Sequence, residues 1–333
     1  MHKRQMFQRI QILRFIAAFA VVAYHAQITI VSYFPGAKPY PLVENGAYGV
    51  DLFFVISGFI IVFIASTKES SAAVFAQRRA ERIVPLYWLV TFGVFLLSYV
   101  PGLARGHLPS LTQLIKSLFF ITWIDGPESY PVLNVGWTLE FEMFFYLLAG
   151  LSLAVTPRPW AATGFVMLAL VGTGRGTTFF LQNPIMIEFV FGMIIAAFMY
   201  DRRLFYWLLP AAVVVLASLP LTPATLRVWT FGVPSFFLVA GAVWLDLRKP
   251  YAGVVLPKLG DASYSIYLVH VLVISLACKI AVIIMPDLEP AVAIPVVALV
   301  ATVAGVVVHQ LVERNLMRVL SARRRGMVVA LNP

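Results

Sequence analysis

Ten apolar runs separated by short polar connections recur along the chain, at residues 10–32, 46–66, 83–100, 137–155, 160–174, 178–200, 204–220, 227–246, 262–285 and 291–312. Most approach the roughly 20 residues a helix needs to cross a hydrocarbon core, and each is predicted to be a membrane span. The run 160–174 is short and interrupted by glycine. Leu111–Ile124 is apolar but shorter and carries Gln113 and Lys116. It predicts a surface-lying or re-entrant helix inside the long connection 101–136. The first run is long enough to span and no small-residue cleavage site follows it, so it reads as a membrane helix and not a signal peptide. With no repeat of fixed period and no low-complexity linker, residues 1–333 are expected to form one integral-membrane domain without an appended soluble domain.

Composition sharpens this picture. Of 333 residues, 61% are hydrophobic and 12% charged, whereas soluble domains average about half and about a quarter. A soluble core of this size cannot bury that much apolar surface, and the single Cys278 excludes an internal disulfide scaffold. The net charge of +10 suggests nucleic acid only until its distribution is read. With the N-terminus cytoplasmic, Lys3, Arg4, Arg9, Lys68, Arg78, Arg79, Arg82, Arg158, Arg202, Arg203, Arg248, Lys249, Lys258, Arg314, Arg318, Arg323, Arg324 and Arg325 fall on the cytoplasmic side. Lys38, Arg105, Lys116, Arg175 and Arg227 fall opposite, a division of 18 against 5. That is the positive-inside pattern. The expected fold is an all-α polytopic membrane protein of about ten transmembrane helices, with both termini cytoplasmic and no nucleic-acid partner.

Ionisable groups inside spans are costly and point by default to function. Arg14 and His25 lie 11 residues apart in the first span, on one helix face and about 16 Å apart along the axis. Arg14 alone can snorkel to the headgroups, and His25 alone can serve as an interhelical hydrogen bond. Asp51 in GVDLFFVISGF is placed at the outer end of the second span, near His25; a carboxylate at a helix start is the plainer reading. Arg78, Arg79 and Arg82 precede Pro85, which is expected to admit the third span. They are either a positive-inside anchor or a phosphate site, since guanidinium forks match phosphate oxygens in pairs. Glu140 and Glu142 open the fourth span and, two apart on a helix, point in different directions. His270 lies about 12 Å along the ninth span, beyond a Ser and Tyr stripe that fits a packing network as well as a chemical role. GTGRG at 172–176 follows no strand and has the wrong spacing for a phosphate loop.

The ordered set Arg14–His25, GVDLFFVISGF at 49–59, RRAERIVPLYW at 78–88, WTLEFEMFFYL at 137–147, SYSIYLVH at 263–270 and Glu313–Arg314 covers nearly the whole chain. It resembles the acyltransferase-3 family of integral-membrane acyltransferases, and among them those that O-acetylate bacterial exopolysaccharides. The resemblance implies His25 as the catalytic histidine with Arg14 as its partner, and Arg78, Arg79 and Arg82 as a donor-binding cluster. It aligns Glu142 with the family's glutamate, while Glu140 falls where the family is usually not acidic. Trp137, Tyr267 and His270 are assigned to a substrate-binding or structural network. Asn315 replaces the proline of the family's usual Glu-Arg-Pro. The donor implied is acetyl-CoA, with no metal; the acceptor is a polysaccharide or lipid-linked oligosaccharide, the other partners are membrane lipids, and the location is the bacterial cytoplasmic (inner) membrane.

In that reading Arg14, Arg78, Arg79 and Arg82 hold the coenzyme phosphates, and its flexible arm runs beside the first helix to His25. His25 then acts as general base or carries the acyl group. Asp51 or Glu142 is expected to fix its tautomer. The competing class is a transporter or flippase of lipid-linked glycan, which also uses intramembrane charges. It lacks support from any visible inverted repeat.

Overall fold

Each of the ten apolar runs contains helix in the computed structural model, which describes residues 7–34, 37–68, 71–100, 108–174, 180–249, 251–285 and 288–331. Side chains are described at these positions except 65–68 and 323–331. Lys3, Arg4, Arg105, Arg175 and the side chains of Lys68 and Arg323–Arg325, all used in the charge count, lie outside the described residues, as does Gly176 of GTGRG. In chain order the longer helices are α1 (Gln8–Tyr33), α2 (Gly49–Lys68), α3 (Ala72–Ser98), α4 (Leu111–Leu118), α5 (Trp137–Val155) and α6 (Pro159–Thr173). They continue as α7 (Ile187–Tyr200), α8 (Arg202–Ser218), α9 (Val233–Arg248), α10 (Ser263–Ile284), α11 (Pro290–Val308) and α12 (Arg314–Leu331). No strand occurs among the described residues. Among the described residues, seven helical stretches are long and apolar enough to cross a membrane, and Pro159–Thr173 and Pro184–Tyr200 are shorter apolar helices. The molecule is an all-helical, polytopic membrane protein.

Four boundaries differ from the sequence reading. The third span starts at Ala72, not 83, because Ser71 caps the helix by accepting from the Val74 amide and nothing in 72–82 breaks it. Arg78, Arg79 and Arg82 therefore lie on α3 itself, and Pro85 sits inside the helix instead of opening it. The second span begins at Pro41, which starts a short helix that a 3-10 turn (Asn45–Tyr48) carries into α2. The sixth begins with 3-10 turns at Phe180–Gln182 and Pro184–Met186, where Asn183 caps by accepting from the Ile185 amide, so the regular helix starts at Ile187. The amphipathic stretch forms helix only over Leu111–Leu118, followed by a 3-10 turn at Thr122–Asp125.

α1 is the hub of the bundle, packing against α2, α9, α10, α11 and the short helix Val255–Asp261. Arg9 ties its start to the end of α9: the backbone amide and Nη1 bond the two oxygens of Asp246 at 2.8 and 2.5 Å. The ends of α1 and α9 that carry Arg9, Arg248 and Lys249 thus share one face. α2 crosses α7 with the two backbones in direct contact. A Cβ on Gly58 would lie 2.0 Å from the Phe189 carbonyl oxygen, and one on Gly192 2.0 Å from that of Val55. Only glycine permits this approach, which packs Phe54 against Phe189 with ring centroids 4.6 Å apart.

Candidate active site

Two histidines from distant parts of the chain meet between α1 and α10. His25 Nδ1 lies 3.2 Å from His270 Nε2 and 2.9 Å from the carbonyl oxygen of Val21, one turn back on α1. His270 Nδ1 lies 2.6 Å from the Tyr267 carbonyl oxygen. Since a carbonyl only accepts, His270 donates from Nδ1, and its Nε2 carries a lone pair. That lone pair and the Val21 carbonyl both accept from His25 Nδ1–H. The geometry assigns His25 the Nδ1–H tautomer, with Nε2 the basic nitrogen. His270 is fully buried and His25 half-buried.

Tyr267 anchors this pair to the start of α5. Its hydroxyl donates to the Val135 carbonyl oxygen at 3.0 Å and lies 2.8 Å from Thr138 Oγ1. Trp137, at the same turn, faces the guanidinium of Arg227 at 6.0 Å, and Tyr48 faces it at 5.2 Å. Arg227 is bound through Nε and Nη2 to Asp51 Oδ1 and Oδ2 at 3.0 and 2.8 Å, a two-point pairing. The Asp51 side chain is wholly buried while a quarter of Arg227 remains exposed. Glu188 on α7 joins them, also wholly buried, with its carboxyl close beside that of Asp51. A π-helical turn, Val228–Gly232, follows Arg227 directly, and a Cβ on Gly232 would lie 2.8 Å from Glu188 Oε1. Such turns recur at functional sites.

A second cluster surrounds Arg14, about 16 Å along α1 from His25. Arg14 donates to Gln11 Oε1 at 3.0 Å and lies in the field of Arg82, Asp261, Glu142 and Glu313. Glu142 accepts from Ser57 at 2.5 Å and from the Tyr146 hydroxyl. Glu313, on the π-helical turn His309–Glu313, accepts at Oε2 from Ser265 and His309, each at 2.7 Å. Tyr264 donates to the Ile83 carbonyl oxygen at 2.7 Å, which holds α10 against the turn of α3 that carries Arg82. Arg79 is buried with its guanidinium 5.7 Å from the Phe75 ring, and Arg78 is half-buried. Arg82 forms no hydrogen bond or ion pair among the described residues, although it is half-buried within the field of Glu313.

The carboxylates expected beside His25 are each bonded to other partners. Gly49 packs on Ala17, two turns from His25 toward Arg14, so Asp51 is set deep in the bundle, where both its oxygens are taken by Arg227. Glu142 falls about 7.5 Å past Trp137 along α5, in the Arg14 cluster. The side chain that meets His25 Nδ1 is His270. Glu140 points away from Glu142, as the two-residue spacing requires, and is buried, accepting from the amide and hydroxyl of Thr122 at 2.8 and 2.7 Å. Glu188 was legible by the rule applied to Asp51, as a carboxylate in an apolar run, and Arg227 was read only as a topological charge.

Comparison with known proteins identifies the family to which the chain belongs. The family model described as an acyltransferase domain matches residues 7–310. The chain is 36% identical to the exopolysaccharide production protein ExoZ of Rhizobium meliloti (strain 1021), over 84% of this chain and 92% of that one. It is 29% identical to the acyltransferase MdmB of Streptomyces mycarofaciens, over 96% of this chain and 94% of the relative. The peptidoglycan O-acetyltransferase OatA of Listeria monocytogenes is 29% identical over 48% of this chain and 26% of its own. No solved structure matches. A family match running from α1 to the π-helical turn that carries His309, together with the full-length relatives, places this chain in the acyltransferase-3 family of integral-membrane acyltransferases.

Proposed function

We propose that the protein transfers an acetyl group from acetyl-CoA on the cytoplasmic side of the bacterial inner membrane to a hydroxyl of an exopolysaccharide sugar, as polymer or lipid-linked precursor. The observation that carries this reading is the hydrogen bond from His25 Nδ1–H to His270 Nε2, which makes His25 Nε2 the basic nitrogen. The relatives named for exopolysaccharide production and for peptidoglycan O-acetylation supply the acceptor class and the acetyl group.

The Arg14 cluster faces the cytoplasm in this reading, because Arg9, Arg248 and Lys249 share that face and follow the positive-inside pattern. Arg82 and Arg14, with Arg78 and Arg79 on the same helix as Arg82, bind the coenzyme phosphates. The pantetheine arm spans the 16 Å or so between Arg14 and His25. His25 Nε2 removes the sugar hydroxyl proton as the oxygen attacks the thioester carbonyl. The C–S bond then breaks, and the coenzyme thiolate takes the proton from His25. His270 holds the imidazole and accepts part of its charge, the place a carboxylate takes in a serine-protease triad.

The test is release of free coenzyme by purified protein given acetyl-CoA and de-O-acetylated native exopolysaccharide. His25→Ala is expected to lose about 10³-fold in kcat, within the range for a positioned general base. Polysaccharide crossing reconstituted vesicles with no thiol released would establish the flippase class instead.

A further inference from the structure

We infer that a polar cavity of about 420 Å³ at the His25 end is a binding subsite for an uncharged oligosaccharide stretch of the acceptor. It is walled by Ser110, Gln113, Asp125, Glu128 and Tyr130, all in the connection between α3 and α5. The inference rests on the acyl-transfer reading and names what that reading leaves open, the chemistry of the glycan. The volume falls in the range of small-molecule sites.

The cavity is built, not an accident of loose loops. Ser110 caps α4 by accepting from the Gln113 amide at 3.0 Å, and Gln113 Nε2 donates to the Tyr130 carbonyl oxygen at 2.9 Å. The buried Ser117 donates to the Gln113 carbonyl oxygen at 2.6 Å and accepts from the Val132 amide at 2.9 Å, which closes the wall. Thr122, also lining the cavity, is fastened by both its donors to Glu140, so the floor is carried by the first turn of α5. Two residues before Glu140, Thr138 meets the Tyr267 hydroxyl, and the Tyr267 carbonyl holds His270 against His25. Hydrogen bonds at Thr122, Tyr267 and His270, joined by the first turn of α5 and by Tyr267 itself, therefore connect the cavity floor to the imidazole that takes the sugar proton. This gives the buried Glu140 a positioning role.

The lining selects for sugar hydroxyls and against anions. Serine, threonine and tyrosine hydroxyls, an amide and carboxylates alternate around it, the donors and acceptors that vicinal hydroxyls pair with. Tyr130 is half exposed and offers a flat amphipathic ring to the apolar face of a sugar. The one lysine, Lys116, is ion-paired with Asp125, and Glu128 forms no hydrogen bond or ion pair among the described residues. The cavity is left with a net negative charge, which repels uronic acid or phosphate-bearing chains.

Titration calorimetry on the full chain in detergent micelles tests this, with cellotetraose as the neutral probe and tetragalacturonate as the acidic one. The expected result is saturable cellotetraose binding, with tetragalacturonate about tenfold weaker or more, a difference of about 1.4 kcal/mol. Tyr130→Ala is expected to weaken cellotetraose about tenfold, and Glu128→Lys to raise tetragalacturonate affinity about tenfold, by the same conversion. Both side chains are exposed, so neither change threatens the fold. No binding of cellotetraose, equal binding of both probes, or affinities untouched by both variants would each overturn the inference. Thiol release from acetyl-CoA with native polysaccharide separates the two levels. Turnover without cellotetraose binding removes the subsite and keeps the acyl-transfer reading; binding without turnover does the reverse.

Discussion

His25 Nδ1 and His270 Nε2, 245 residues apart in sequence, are 3.2 Å apart in space. The contact makes a prediction that a packing role for His270 would not. His270→Ala is expected to lower kcat about 10²-fold with little change in acetyl-CoA KM, since it removes the acceptor that orients His25. His270→Gln, whose side-chain oxygen can accept from His25 Nδ1–H, is expected to recover part of the loss. The double variant with His25→Ala is expected to be no slower than His25→Ala alone, because residues acting as a unit are not additive. Steady-state kinetics of the four proteins decide the matter, and a fully additive double variant would refute the relay.

Arg82 carries the donor prediction. Its side chain is half-buried without a hydrogen bond or ion pair among the described residues, close enough to Arg14 to act on its charge. Arg82→Ala is expected to raise acetyl-CoA KM about tenfold, the value of one charge-assisted hydrogen bond of about 1.4 kcal/mol or more. The rise should shrink at high salt, where a phosphate contact is screened. Unchanged KM with reduced membrane abundance would mark Arg82 as a topological anchor.

How much of this was readable beforehand follows from what hydropathy measures. The span 137–155 is matched by α5 residue for residue, since Gly136 precedes its first turn and the apolar run from Met143 ends at Thr156. Hydropathy fails where a helix continues through charge: α3 begins at Ala72, a start the arginines 78, 79 and 82 conceal. The histidines themselves were legible as buried ionisable groups. Their partnership was not, because it depends on which faces of α1 and α10 meet. Arg227 shows the same limit: it pairs with a residue 176 positions away, and only that pairing distinguishes it from an orienting surface charge. Where side chains leave the helix was partly readable, as the divergence of Glu140 toward Thr122 and Glu142 toward Ser57 shows.

The α2–α7 crossing predicts a stability effect independent of chemistry. Gly192→Ala puts a methyl 2.0 Å from the Val55 carbonyl oxygen and 2.5 Å from the Phe59 amide nitrogen. Both are backbone atoms of α2, so neither can rotate away, and the helices must separate. Melting in detergent, followed by intrinsic fluorescence, is expected to show a loss of about 1–3 kcal/mol, the cost of overpacking a tight interior. Gly93→Ala is the control, because a Cβ there meets nothing within 4 Å. Equal melting of the two variants would contradict the close approach.

The pairing of Asp51 with Arg227 makes the sharpest structural prediction, because removing either partner strands the other. Arg227→Met leaves Asp51 wholly buried beside Glu188, two carboxylates without their cation. That is expected to cost about 3–5 kcal/mol, the usual price of breaking one side of a buried ion pair. Asp51→Asn with Arg227→Met removes one of the stranded charges and is expected to regain at least half the loss. Adding Glu188→Gln removes the last carboxylate of the cluster and should regain more. A double-mutant cycle read by melting in detergent gives the coupling directly. Losses that simply add would mean that the three groups are independent, and that the cluster does not hold α2, α7 and the Pro223–Gly232 segment together.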